Sequence, residues 1–215
     1  MAKKTNPKIF RINTTESPVS NWYAESKDFS KYLHKDIKVR SIINTIAKPA
    51  GVEKVIISRS ANNVTVDLHV GRPGIAIGKG GTGVDALEKA IEKGVGEKVK
   101  ISVHEVKQPY LSAPLVAQSI ADGMSRRMPP KLLMRQQLDK IEASGARGAR
   151  IEVAGIGPIK QSRTERLELR GGKIPLTSVR AKIDYGVVNV LTDKMYGIKV
   201  WIYVGEANDK NNTKI

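Results

Sequence analysis

Ile75-Ala76-Ile77-Gly78-Lys79-Gly80-Gly81 leads from a short helical turn near 73–77 into a helical pattern that begins at Thr82. A Gly-x-x-Gly turn that opens a helix leaves main chain uncovered by Cβ atoms. A nucleic-acid backbone can then lie directly on it, with the first free N–H groups of the helix facing the phosphates. Lys79, at the tip, adds a cation where a phosphate would sit. Gly78-x-Gly80-x-x-Gly83 also satisfies a dinucleotide fingerprint, with Glu105 further along as its acidic residue. That fingerprint needs a strand running straight into its first glycine, and here Pro73 and Gly74 interrupt the approach. A phosphate-loop NTPase fits worse, because Gly74 and Gly78-Lys79 are mis-spaced and no Ser or Thr follows the lysine. A turn that merely lets two helices pack tightly stands as the structural alternative to nucleic-acid contact.

Upstream of the loop, Val39, Ile42, Ile43 and Ile46 form an i, i+3, i+4, i+7 stripe that predicts a helix over about 28–48, stopped by Pro49. Lys54–Arg59 reads as a strand and Asn62-Asn63 as a turn. Val64, Val66, Leu68 and Val70 then alternate with Thr65, Asp67 and His69, the period of a half-buried strand. Downstream, Thr82-x-x-Asp85 offers a capping pattern, Val84, Leu87, Ile91 and Val95 share a helix face, and Val99, Ile101 and Val103 alternate. Residues 21–106 are therefore expected to run α-β-β-α-(glycine loop)-α-β, closed by a linker at Lys107-Gln108-Pro109.

The second half has another rhythm. Pro114 stands where a helix begins, the pattern runs to about Met128, and Pro129-Pro130 break it and start another helix that Gly145 ends. Strands follow at Arg150–Ala154, about Arg163–Leu169, Val179–Val188 and Ile198–Val204. Two helices and then antiparallel strands predict a two-layer α+β domain over 107–206, so the fold class of the whole chain is α+β. Residues 1–20, with Lys3, Lys4, Lys8 and Arg11 among Asn, Thr and Pro, show no period and are read as a basic arm. Residues 207–215 are read as a disordered tail.

Thirty-seven Lys plus Arg against 21 Asp plus Glu leave a net charge of +16 over 215 residues. Eighteen cations and eleven anions fall through Val106, nineteen and ten after it, so both halves are basic. Such a field attracts a polyanion, and nucleic acid fits better than a membrane surface, which requires a basic amphipathic helix with large apolar anchors. Aromatic residues are only 5%. No cysteine is present, so disulfides and thiolate metal sites are excluded. Met1-Ala2-Lys3-Lys4 lacks the apolar core of a signal peptide, and a soluble cytoplasmic protein is expected.

In the helix after Pro130, Met134, Leu138 and Ile141 form the core stripe. Lys131 and Arg135 lie near its start, Asp139 and Glu142 near its end. This order opposes the helix dipole, so helix stability does not explain it. An anionic partner at the helix start does; the alternative is a solvated face with Arg135 paired to Asp139. Arg126 and Arg127 close the preceding helix, where cations are ordinary capping. Arg180 and Lys182 share the face opposite Val179, Ala181 and Ile183, and Arg163, Arg166 and Arg170 stand near in sequence, which favours a phosphate-binding surface. His34, His69 and His104 are scattered without metal-ligand spacing. Trp22, Tyr23 and Trp201 are too few for binding that is mainly base stacking. No nucleophile context exists, so neither enzyme, metal nor cofactor is expected.

Arg72-Pro73-Gly74 followed by Ile77-Gly78-Lys79-Gly80-Gly81, in this element order, resembles a type II KH domain. Gly172-Lys173-Ile174-Pro175-Leu176, Arg180-Ala181-Lys182-Ile183-Asp184-Tyr185 and Gly197-Ile198-Lys199-Val200-Trp201-Ile202 resemble the bacterial-type small-subunit ribosomal protein three family, which Arg163-Thr164-Glu165 and Ala146-Arg147-Gly148 also fit. The resemblance runs from about Asn6 to Gly205. It implies a structural protein of the ribosome that binds 16S-type rRNA in the head of the small subunit, beside ribosomal proteins ten and fourteen. It also implies that the chain helps line, with proteins four and five, the channel through which mRNA arrives. Lys131 and Arg135 fall on positions that touch incoming mRNA in that family; Leu132 stands where members commonly carry another cation. Ala154-Gly155-Ile156-Gly157-Pro158 is shorter than the usual loop and lacks its arginine. The rival reading is a free-standing KH regulator of mRNA, which has no need of the C-terminal signature.

Overall fold

The computed structural model describes residues 5–60, 64–156, 162–192 and 194–206. Lys3, Lys4, the Asn62-Asn63 turn, Gly157-Pro158 and the 207–215 tail lie outside the described residues. The chain divides into two compact units, Pro18–Lys107, and Met1–Ser17 together with Gln108–Ile215. The chain's first element is a single helical turn, α1 (Pro7–Phe10), capped by Asn6, whose Oδ1 accepts from the Lys8 N–H at 2.9 Å.

The Pro18–Lys107 unit contains β1 (Ser20–Asn21), α2 (Ser26–Ile46), β2 (Val52–Arg59), β3 (Val64–Val70), α3 (Pro73–Ile77), α4 (Thr82–Val95) and β4 (Val99–Glu105). Its sheet has the order β1-β2-β3-β4, with β2 and β3 antiparallel and both outer pairs parallel. The alternation in β3 works as written: Val64, Val66, Leu68 and Val70 are buried together with Val55 and Ile57 of β2, Val39 and Ile43 of α2, and Leu87 and Ile91 of α4. Ile46 departs from its expected stripe and is 45% exposed. α2 ends there, the chain tightens into a 3-10 turn at Lys48–Ala50, and Ala47 and Ala50 take the buried places. The capping role of Thr82 is not realised either. The N-cap is Gly81, in the left-handed region, and Thr82 Oγ1 donates back to Lys79 O at 3.1 Å.

The second unit adds α5 (Ala113–Ser125), α6 (Pro130–Ala143), β5 (Gly148–Ile156), β6 (Ser162–Glu168), β7 (Ala181–Leu191) and β8 (Met195–Glu206). Its sheet is antiparallel throughout, in the order β6-β5-β8-β7. Ile151 and Val153 of β5 and Ile198, Val200 and Ile202 of β8 form one core with Val116, Ala117 and Ile120 of α5 and Met134, Leu138 and Ile141 of α6. The two-layer α+β arrangement follows from these apolar faces.

Residues 5–17 are not a separate arm. Arg11 is fully buried and donates to the carbonyls of Pro7, Pro175, Leu176, Ser178 and Ala181. Lys8 pairs with Asp184 at 2.6 Å, and the other carboxylate oxygen of Asp184 accepts from the Ala113 N–H. A polar segment is thus fixed by hydrogen bonds to main chain, which leave no apolar period in the sequence.

Candidate nucleic-acid interface

The glycine loop forms because each glycine does a different job. Gly78, Gly80 and Gly81 have φ of 71°, 64° and 88°, where a side chain is strained. A Cβ on Gly78 would meet Gly83 N at 3.0 Å, and one on Gly83 would meet Ala76 O at 2.4 Å. These two positions let α3 and α4 approach closely, as the structural alternative requires. Gly80 and Gly81 are different: a Cβ on either would meet nothing within 4 Å. Tight helix contact therefore explains Gly78 and Gly83, while the open side of Gly80 and Gly81 offers bare backbone to a ligand. Among the described residues the amides of Lys79 and Gly80 donate to no carbonyl. Lys79 is exposed at the tip, Arg72 is exposed at the start of α3, and Ile75 and Ile77 present exposed apolar surface beside the loop. Gly83 was legible in the spacing and was assigned no role; Ile75 and Ile77 could be recognised only once α3 was seen to bury Ala76 alone.

On α6, Leu133, Met134, Gln137, Leu138 and Ile141 are buried, and Lys131 and Arg135 are exposed. The pairing of Arg135 with Asp139 is not made, since no ion pair joins them. The first turn holds no acidic residue, and Lys140 stands in the last turn. Arg126 caps the end of α5, where its amide donates to Asp122 O and Gly123 O. Arg127 follows with φ 62°, and the amides of Arg127 and Met128 return to Met124 O and Gly123 O. This is a helix stop in which the left-handed position normally belongs to glycine.

The cations near the sheet do not form one uniform face. β7 starts at Ala181, so Arg180 belongs to the preceding loop, and the register shifts between Lys182 and Ile183, which ends simple alternation there. Arg166 is tied to Glu152 at 2.6 Å across the β5–β6 pair, beside Arg150 and Glu168. Arg163 and Arg180 are exposed. Trp22 is a packing residue: its Nε1 donates to Asp36 at 2.8 Å and its rings meet Phe29 and Tyr32. His69 and His104, distant in sequence, are register partners on β3 and β4 with rings 5.2 Å apart. Burial, and then the neighbouring His104, lower the pKa of His69. Among the described residues no group of three or more His, Asp or Glu assembles for a metal.

Residues 38–111 match the KH domain family, and residues 120–202 match the C-terminal domain family of ribosomal protein S3. The small ribosomal subunit protein uS3 of Carboxydothermus hydrogenoformans is 39% identical over 209 residues, 96% of this chain and 93% of that one. The uS3 protein of Latilactobacillus sakei is 39% identical over 100% of this chain and 99% of its own. The chain belongs to the uS3 family. In Halorhodospira halophila a further uS3 protein is 38% identical over 99% of this chain. The KH match spans the glycine loop and both elements it joins, and the S3 match spans α6 with Lys131 and Arg135. Leu132 is 46% exposed. It stands beside the two cations as apolar surface. No helix among the described residues is long and apolar enough to cross a membrane.

Proposed function

We propose that this chain is a structural constituent of the small ribosomal subunit, a non-enzymatic protein that binds 16S-type rRNA and works in translation on cytoplasmic ribosomes. The observation that carries this is a single one. Relatives named as small ribosomal subunit protein uS3 align with both units at close to 39% identity over nearly their full length. A free-standing KH regulator is disfavoured for the same reason, since it has no use for the second unit. We place the chain in the head of the subunit beside ribosomal proteins ten and fourteen. Lys131 and Arg135, with proteins four and five, face the channel through which mRNA arrives. Binding is by neutralisation: Lys79, Arg72, Arg126, Arg127, Arg163, Arg180 and Lys182 meet phosphates, and the bare backbone of Gly80 and Gly81, in the turn that Gly78 opens, admits the sugar-phosphate chain. Arg166, already paired with Glu152, contributes least.

Sedimentation of a lysate through a sucrose gradient at moderate and high salt tests the reading. Co-migration with small subunits that survives most of a high-salt wash is the expected result; migration as a free protein overturns it. The double variant Lys79→Asp, Gly80→Asp separates the site from the fold. It is expected to weaken RNA binding by at least tenfold, as the loss of one charge-assisted contact requires, with an unchanged circular dichroism spectrum. Loss of the spectrum as well would assign the loop to structure alone.

A further inference from the structure

Arg11 is a buried cation whose partners among the described residues are main-chain carbonyls and include no carboxylate. Its Nε donates to Ala181 O at 2.8 Å and its Nη1 to Pro7 O at 3.0 Å. Its Nη2 reaches Pro175 O at 3.3 Å, Leu176 O at 3.1 Å and Ser178 O at 2.8 Å. Four of these five acceptors lie in one short stretch, 175–181, that has no regular structure before β7. Drawing the carbonyls of Pro175, Leu176 and Ser178 inward onto one guanidinium fixes that stretch from beneath. Among the described residues the amides of Thr177, Val179 and Arg180 donate to no acceptor. Thr177, Ser178 and Arg180 are exposed, and so are Arg170 and Lys173 at the foot of the loop. Unbonded amides among exposed cations, above a buried positive charge that no carboxylate cancels, are the elements of an anion site.

We propose that residues 173–180 form a phosphate-binding loop for RNA, and that Arg11 is its positioning residue, touching no RNA itself. The proposal rests on the RNA-binding reading above and adds to it a second contact independent of the glycine loop. Lysine cannot replace Arg11 in this role. A single Nζ carries three donors without the planar fork, so it cannot hold Ala181 O and the 175–178 carbonyls together.

The test uses the full chain and a transcript of the small-subunit rRNA, with affinity measured across a salt series and amide exchange read over 173–181. Three variants are compared: Arg11→Lys, Arg180→Gln and both together. Arg11→Lys and Arg180→Gln are each expected to weaken binding about tenfold, the equivalent of one charge-assisted contact. The double variant is expected to be little worse than either, because the cation at 180 acts only on a shaped loop. Arg11→Lys should also speed exchange at 173–181. Faster exchange with unchanged affinity would make Arg11 purely structural and overturn the proposal, as would simple additivity of the two variants. If Arg11→Lys fails to fold, Lys173→Gln with Arg180→Gln decides, and unchanged affinity there overturns the loop. Should wild-type chain itself not bind the transcript, the RNA reading and this proposal fail together. Binding sensitive to Lys79→Asp but indifferent to the loop variants defeats the loop alone.

Discussion

The side chains of Arg59 in the Pro18–Lys107 unit and Arg11 in the other unit are both buried, yet Arg59 meets carboxylates where Arg11 meets carbonyls. The Arg59 side chain is 7% exposed and bonds Asp36 at 2.7 Å and Glu97 at 2.6 Å. Asp36 also accepts from Trp22 and Ser20, and Glu97 from Lys35. Together with Arg40, which donates to Val55 O and Val19 O, this network straps β1 and the Trp22 segment to the sheet. The charges of Arg59 and Lys35 are cancelled by Asp36 and Glu97, so this pairing has nothing left for an anion. Arg11 serves the same mechanical purpose for α1, but its charge is solvated by dipoles and not cancelled. A buried arginine can therefore hold a fold together with or without leaving a field outside.

The largest expected effect comes from breaking the cancelled network. Arg59→Met leaves Asp36 without its cation and Glu97 with Lys35 alone, and should cost the KH unit about 3–5 kcal/mol, the range for removing one partner of a buried pair. Adding Asp36→Asn should recover part of it, because one uncompensated charge is removed. Hydrogen exchange resolved by unit would show the loss confined to residues 18–107. An equal loss in residues 108–206 would mean the units do not hold separate stability.

Acid sharpens the contrast with a smaller effect. Burial pushes the Glu97 pKa up, but hydrogen bonds from Lys35 and Arg59 outweigh it, and the folded value lies below the ordinary glutamate value of 4.5. The unfolded chain thus holds this proton more tightly. The associated stability is present above about pH 4.5 and is lost as pH falls through the folded value. Protection around β2 and α2 should fall on acidification, while the Arg11 clamp, whose acceptors do not titrate, should stay. Loss of both together would argue that the clamp depends on a carboxylate after all, with Asp184, the partner of Lys8, as the candidate.

Substitution of Arg127 bears on a third way to hold an arginine, exposed and backbone-strained. Arg127→Gly relieves a φ of 62° at the helix stop and should stabilise the second unit by about 0.5–1 kcal/mol. The same change should weaken RNA binding, measured on the same protein by thermal melting and by affinity. Stabilisation without loss of affinity would remove Arg127 from the interface.

Much of both units was legible because their cores obey two periods. The alternation of Val64, Val66, Leu68 and Val70 and the spacing of Met134, Leu138 and Ile141 are direct images of burial on one face. Pro49, Pro129-Pro130 and Gly145 set the ends. The glycine loop was legible for a related reason, since positive φ strongly favours glycine. The arm was not. Arg11 is recognised by carbonyls, which every residue carries, so nothing in the composition of 170–181 announces its partner. β1 escaped likewise: two polar residues, Ser20 and Asn21, pair with Ile57 and Ser58 by main chain alone. Arg166 looked like free basic surface because its partner, Glu152, sits on the neighbouring strand.

The smallest expected effect separates binding from stability most cleanly. Lys131 stands in the first turn of α6 with no acidic residue near it, so its charge opposes the positive end of the helix dipole. Lys131→Glu should therefore stabilise the helix by about 0.3–1 kcal/mol. If the helix start faces mRNA, the same change should weaken association with a structured mRNA on assembled subunits. A site retained for the fold moves both readouts in the same direction; a site retained for an anionic partner moves them in opposite ones. Leu132→Arg extends the test, since a cation restored beside Lys131 and Arg135 should strengthen association while adding a further charge against the dipole. Opposite signs in both variants would mean that the exposed face of α6 is shaped by its ligand at the expense of its own helix. Parallel signs would return Lys131 and Arg135 to ordinary solvated surface.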